Sequence, residues 1–557
     1  MDYSELSATG EHVFLVTRTH GTSGAVSVQY SSHGDPHDSV SGTLSWANGD
    51  QSVQSIRVNV PSKSPGDHRI YMQLSNATGG AALHFSNHTR AYGVIDDGTV
   101  AADSEAVFFD ASLGSNGAGT QSSPFNNIYD ALASVGSKRY IYGRGTVVPD
   151  GTNSNAPYAI SGVRSINVPA SRSDENSRVY IRNWPGSSLT INGNGSRRTA
   201  GFYSNGNDSY HTYRGINFIN LDASGTGAGA PGFGIWYHYG TASGINVELC
   251  NFNGINGSEN NGGVNYYGTT GGRVWRCTFA NIAKDGDTKN GNTGGVYSYS
   301  GNYISIQRSE FASTMSKGTF HKRTDSGKIS FNCRFNIYRD CVCYYGQSGG
   351  GNPGHFGIVV SNNAFIGPFA TFKHLAISPV LNLGQNQVSN NYFYQSGNNV
   401  EGAVANWGGA DLLIFNNVFD NCKYVYSDEQ SSLADLPALL DYNVVYNTTD
   451  SFASNNFASY SAASFASTFN INFSQNQRTG DPRPANPGAE DFSLQNGSSA
   501  IAAGIGGADA GIYLTDLETI GANAITIINP NPFPAPGPNP SQCTPPQINS
   551  GQKIIFS

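Results

Sequence analysis

Phe320-His321-Lys322-Arg323 is the densest run of proton-transfer groups in this 557-residue chain. An imidazole, an ammonium and a guanidinium in consecutive positions offer a base, a proton donor and an anion clamp. The stretch 273–340 around them holds eleven Lys and Arg, including Arg276 and Arg308, against five Asp and Glu, while the whole chain carries −8. A basic belt on an acidic protein attracts a polymer bearing carboxylates or sulfates. Nucleic acid is not expected as a partner. Nor is a membrane span, since no apolar run reaches the roughly 18 residues that one needs.

Aromatic residues recur beside the cluster. Ile235-Trp236-Tyr237-His238, Val264-Asn265-Tyr266-Tyr267, Val296-Tyr297-Ser298-Tyr299, Phe320 to Arg323 and Val342-Cys343-Tyr344-Tyr345 favour strands and alternate with period two. With the first residue of each run facing a core, alternation turns Trp236, His238, Asn265, Tyr267, Tyr297, Tyr299, His321, Arg323, Cys343 and Tyr345 outward. Rings at that density suit stacking on sugars, which makes Trp236, His238, Tyr267 and Tyr297, with Arg276 and Arg308, the expected substrate contacts. Lys322 would then point inward, and because burying a lone ammonium is costly, a bulge is expected to bring it out.

These groups suffice for β-elimination on a uronate, which needs a neutralised carboxylate, a base and an acid for the leaving oxygen. Arg323 or Arg308 fits the first role, Lys322 or His321 the second, Tyr299 or Tyr345 the third. A glycoside hydrolase would instead need two carboxylates about 5 to 10 Å apart, drawn from Asp285, Asp287, Glu310 and Asp325. A non-catalytic adhesin would need the aromatic and basic surface alone. Asp285-Gly286-Asp287 loosely matches a calcium loop, although its spacing misses the EF-hand pattern and the closing Glu is absent.

The elements that must position these residues announce themselves by repetition. A small or polar residue, any residue and then Phe close a short strand seven times: Cys250 to Phe252, Cys277 to Phe279, Ser309 to Phe311, Cys333 to Phe335, Asn363 to Phe365, Asn391 to Phe393 and Asn417 to Phe419. Phe218 and Tyr446 are weaker members. The spacing of 24 to 32 residues is that of a solenoid whose units bury their apolar faces against one another. Two or three strands per unit make a parallel β-helix, with the Asn and Cys members stacked in one corner column.

Composition agrees: 13% charged, 11% aromatic and 68 Gly is an all-β, solenoid-like balance rather than disorder. Among the seven cysteines, a disulfide within the set 250, 277, 333, 341 and 343 is open, and no zinc spacing occurs. Residues 1–99 differ, with about six alternating strands that make a β-sandwich. The helix is expected over 100–522, and 523–557, with its run Pro530 to Pro540, reads as a linker toward a further module. The opening at Met1-Asp2 without a leader reads as the processed or trimmed form of a secreted protein, expected to be monomeric.

Two resemblances follow from these segments. Val16-Thr17-Arg18, Gly24 to Tyr30, Gly42 to Trp46 with Gly49-Asp50, and Val94-Ile95-Asp96-Asp97-Gly98 resemble a Calx-β domain. The likeness implies calcium held by clustered acids, here Asp96 and Asp97. Residues 113–143, with Ser123-Pro124-Phe125 before a short capping helix, and the closing segment 480–513 are similar to secreted β-helix carbohydrate-active proteins. The coils of residues 105–520 resemble the right-handed parallel β-helix polysaccharide lyases, the group of alginate lyases and chondroitinase B. The resemblance implies a strand-end Lys as base, for which Lys322 is the match, aided by an Arg one coil later and a calcium ion on the uronate. This sequence has Tyr344-Tyr345 at the Arg place and no Asn/Glu/Glu cluster just upstream.

Overall fold

The computed structural model describes residues 3–6, 10–19, 23–34, 39–50, 54–60, 68–83, 90–95, 98–150, 164–168, 171–194, 199–204, 207–222, 232–238, 240–257, 261–284, 294–312, 317–323, 331–339, 341–347, 358–367, 375–377, 386–395, 402–406, 412–428, 439–448, 453–455, 458–460, 476–512, 519–520, 525–526 and 553–556. The chain falls into two compact units, residues 1–106 with 534–557 and residues 107–533.

In the larger unit the chain repeats a coil of three short strands. Three successive coils are Gly262–Tyr267, Arg273–Trp275 and Thr278–Lys284; Gly294–Tyr299, Ile304–Gln307 and Glu310–Phe311; Lys317–Arg323, Phe331–Arg334 and Ile337–Arg339. Each strand pairs in parallel with its counterpart one coil on, so three sheets run along the unit. We number the sheets first, second and third in the order the chain visits them. This is a parallel β-helix, and the chirality of parallel crossovers makes it right-handed.

Two ladders hold the coils in register. Inside the third sheet, the rings of Phe218, Phe252, Phe279, Phe311, Tyr338, Phe365, Phe393 and Phe419 stack at 4.7 to 4.9 Å, nearly parallel. Tyr338, not Phe335, fills the fifth place, so the intervals on either side become 27 residues each. Tyr446 also leaves the ladder, since Val445 pairs with Phe419. The second ladder lies at the corner between the second and third sheets: the side-chain oxygens of Ser309, Asn336, Asn363, Asn391, Asn417 and Asn443 each accept the backbone N–H of the preceding member, at 2.9 to 3.2 Å. Cys333 is not a member; it faces the core from the second sheet, between Ile306 and Val360. The six cysteines among the described residues are buried thiols, and no disulfide joins the set named above.

The residue before each ladder member turns the corner in the left-handed region, with φ of 48 to 57° at Arg276, Arg308, Phe335, Asn362, Asn390, Asn416 and Tyr442. Asn tolerates that conformation well, and three of the later coils use it. At the N-terminal end, the helix Ile128–Ser134, capped by Asn127, sends Ile128 and Ala131 into the same core. The segment 478–512 lies on the outer face of the third sheet, where Phe492, Ala500, Ala503 and Ala510 pack on Tyr392, Val418 and Val444.

The smaller unit is a β-sandwich. Its five-stranded sheet runs Tyr3–Leu6, Arg90–Ile95, His68–Ser75, Val26–Gly34 and Ser41–Trp46. Its four-stranded sheet runs Gln54–Val60, Gly10–Thr19, Lys553–Phe556 and Ala82–Leu83, so a strand from the Pro-rich tail sits inside it. Phe14, Val16, Val28, Trp46, Val58, Ile70 and Met72 form the core. Buried Arg18 gathers the carbonyls of Ser23, Gly24, Ala47 and Asp50 at 2.9 to 3.3 Å.

Candidate active site on the first sheet

Glycines set the register of the first sheet. Gly234, Gly263, Gly295 and Gly318 press against the ring ladder, where a Cβ would meet Phe252 at 2.6 Å, Phe279 at 2.5 Å, Phe311 at 2.7 Å and Tyr338 at 2.7 Å. The residue after each faces inward: Ile235, Val264, Val296 and Thr319 form one column. Counting from Gly318 shifts the Phe320 run by one position from the sequence expectation. Phe320 pairs with Tyr297, His321 with Ser298 and Lys322 with Tyr299.

Several expected site residues move as a result. His321 faces the core, fully buried, with its ring 5.1 Å from Phe331. Cys343 also faces inward and accepts a hydrogen bond from Thr319 Oγ1 at 3.1 Å. Tyr345 pairs with His321 and so holds an inward register position. Lys322 needs no inward turn, because it holds the register of Tyr299; the sheet does shift register nearby, between Lys317 and Thr319. Arg323 ends the strand, paired with Gln347. The side chains of Lys322, Arg323 and Tyr345 lie outside the described residues, as do Asp285, Asp287, Asp96 and Asp97.

The outer face carries two columns. Tyr203, Trp236, Asn265, Tyr297 and Phe320 form one. With Phe233 its rings make an apolar cluster of their own outside the helix, each at most 4% exposed. Trp236 and Tyr297 are therefore enclosed rather than an open stacking stripe, because ring packs on ring: Tyr203 to Trp236 at 5.1 Å and Tyr297 to Phe320 at 5.2 Å. Phe320 was expected to face the core, and Phe233 and Lys317, whose ammonium lies 4.2 Å from the Phe320 ring centre, were not singled out in the sequence. The repeated glycine at the strand start was the signal for their register.

The second column is Tyr267, Tyr299 and Lys322, extended by His238, whose ring meets that of Tyr267. Tyr267 and Tyr299 are half-buried and stack at 4.7 Å, and His238 lies 5.6 Å from Tyr267. Burial pushes the His238 imidazole down to about 4, so the ring is neutral near pH 7. Neutral imidazole, two phenols and a lysine position thus share one line across four coils.

The basic belt does not share that line. Arg273 lies on the outer face of the second sheet, where it and Arg214 pair with buried Glu248 at 2.5 and 3.0 Å. Arg276 and Arg308 turn the corner between the second and third sheets, Arg276 over Trp275 at 5.1 Å and Arg308 over Phe335 at 5.8 Å. They stand away from the tyrosines, which corrects their expected place beside them. Arg339 sits on the third sheet and grips Glu310 and Glu490. A left-handed corner points a side chain away from both flanking sheets, so bases that are close in sequence spread around the helix.

Calcium is the cofactor the resemblances imply. Among the described residues no three acidic, His or Cys side chains converge. The described residues on the outer face of the first sheet offer aromatic, amide and imidazole groups, a donor set that does not by itself fit calcium. No step below runs through a metal. Among the described residues no helix is long and apolar enough to cross a membrane.

No protein-family profile and no curated protein matches the chain. Among solved structures, the apo-form Calx CBD1 domain is 23% identical over 17% of this chain and 88% of its own, with a TM-score of 0.16. A rhamnogalacturonan lyase is 12% identical over 67% of this chain and 87% of its own, with a TM-score of 0.35. A pectate lyase bound to a hexasaccharide is 13% identical over 66% and 85%, with a TM-score of 0.28. Over those shares the chain is similar to a Calx domain, a rhamnogalacturonan lyase and a pectate lyase.

Proposed function

We propose that the larger unit is a secreted lyase that cleaves a uronate-containing polysaccharide by β-elimination on the outer face of its first sheet. The observation that carries this is the register that sets Lys322 beside Tyr299 and in line with Tyr267. In the step, Lys322 in its neutral form takes the proton from C5 of the uronate. Arg323, the last residue of the strand, where alternation no longer fixes the side, holds the carboxylate while negative charge spreads onto it. The C4–O bond breaks, the C4=C5 double bond forms, and Tyr299 gives its proton to the departing oxygen. A proton returned from Lys322 to the Tyr299 phenolate through solvent restores both groups, so no water is consumed.

Each assignment has a physical basis. A lysine is a base only when neutral, and of the two basic side chains lysine is the one that can lose its proton. The Tyr267 and Tyr299 rings give the sugar an apolar wall. Of the alternatives the sequence left open, His321 is in the core and Arg308 at the far corner. The test is incubation with alginate, pectate, chondroitin, ulvan and carrageenan, following the ultraviolet absorbance of unsaturated ends together with reducing ends. Unsaturated product from at least one uronate polymer, lost in Lys322→Ala, is expected. Reducing ends without unsaturation mean a hydrolase, and binding without product means an adhesin.

A further inference from the structure

Tyr446, displaced from the ring ladder, leads to a second site. On the outer face of the third sheet Tyr394, Asp420 and Tyr446 stand in register on three successive coils. With Asp481, Arg483 and Gln495 of the C-terminal segment they line an open cleft of about 460 Å³. The two half-buried tyrosines are two coils apart, about 10 Å or twice the strand spacing, which is the length of a disaccharide.

The cleft is built rather than accidental. Asp420 is 3% exposed and accepts from Tyr392 OH at 2.8 Å and from Asn421 Nδ2 at 2.7 Å. Burial raises its carboxyl above the ordinary range, and nearby Asp481 adds to the effect. The opposite wall is tied down: Arg339 grips Glu490, Arg478 donates to the carbonyls of Ile501 and Ala502, and the Ile505 N–H meets Asn416 Oδ1 at 2.8 Å. The Arg483 N–H is bonded to Asp481 Oδ1 at 2.8 Å.

We infer that this cleft binds a neutral pyranose oligosaccharide, with its rings on Tyr394 and Tyr446 and its hydroxyls donating to Asp420 and Asp481. Aromatic faces two sugars apart with acceptors between them match the alternating apolar and hydroxyl surfaces of such a chain. Two carboxylates against one guanidinium set like charge against a polyuronate, so this site selects a different polymer from the first sheet. A cation is the poorer occupant, because Arg483 stands in the wall and the lining holds two carboxylates, fewer oxygens than a calcium shell takes.

The experiment is calorimetric titration with xylohexaose, cellohexaose, mannohexaose and hexagalacturonate. It is run on the whole protein in a Lys322→Ala background, so that the proposed elimination does not consume the titrant. At least one neutral hexaose is expected to bind, and Tyr394→Ala and Tyr446→Ala each to weaken it about tenfold. Gln495→Ala, at an exposed position that does not threaten folding, is expected to weaken it about threefold. Failure of all three neutral hexaoses to bind, affinity untouched by these substitutions, or hexagalacturonate binding that is tighter and is weakened by Tyr394→Ala and Tyr446→Ala would overturn the proposal. In the protein with Lys322 intact, Tyr394→Ala and Tyr446→Ala should leave elimination on a uronate polymer unchanged.

Discussion

His238 is held neutral by burial, and that has a measurable effect on stability. With its imidazole pushed down to about 4, the folded protein stays unprotonated below the ordinary value near 6.5, whereas the unfolded chain takes up a proton there. The stability this residue contributes is complete above about pH 6.5 and drains away as pH falls toward 4, by about 3 kcal/mol in all. Denaturant unfolding of wild type and His238→Gln across that window should give a steep slope with pH for the first and a flatter one for the second. Equal slopes would remove His238 as the cause. On the same column, Tyr299→Phe keeps the ring and deletes the proposed acid, so kcat should fall about 10²-fold or more with little change in KM. Tyr267→Ala should do the reverse, raising KM while sparing kcat. A joint fall in both variants would point to lost packing instead.

At the scale of elements, the corner ladder and the ring ladder do different work. Asn391 accepts from the N–H and amide of Asn363 and donates to the Val360 carbonyl and to Asn417, four bonds in a buried corner. Asn391→Leu strands those partners and should cost about 3 to 5 kcal/mol. Cys277→Ala, in the same column without an amide, should cost about 1 kcal/mol or slightly more. Unfolding both variants in denaturant checks the difference. The period of these ladders was legible in the sequence because stacked coils force like residues onto like positions. One coil misled: Phe320 and Phe335 are phenylalanines in near-register places, but Gly318-Thr319 and Asn336-Ile337-Tyr338 take the ladder positions. Spacing cannot separate an inward Phe from an outward one; a glycine against a ring can, because only its missing Cβ fits. The direction of the basic residues was illegible for a related reason, since a left-handed corner at Arg276 and Arg308 breaks the alternation on which such counting depends.

Over the whole molecule, two units with separate cores imply two unfolding events, and the ends of the chain decide one of them. Lys553–Phe556 pairs antiparallel with Gly10–Thr19 on one side and parallel with Ala82–Leu83 on the other, an inner strand of the four-stranded sheet. Its register runs over Val16 to Thr19, next to the buried Arg18 that gathers the turns of the sandwich. A chain ending before Lys553 would leave two bare strand edges and forfeit the ladder bonds, each worth about 0.5 to 1.5 kcal/mol, so the sandwich should lose about 3 kcal/mol. The β-helix has its own ladders, cap and covering segment, none of which draws on residues 553–556. Calorimetry of the shortened protein should therefore show one transition moved down and the other in place, with elimination activity retained. A shift of both transitions together would mean that the units unfold as one, and loss of activity would mean that the site on the first sheet depends on the sandwich.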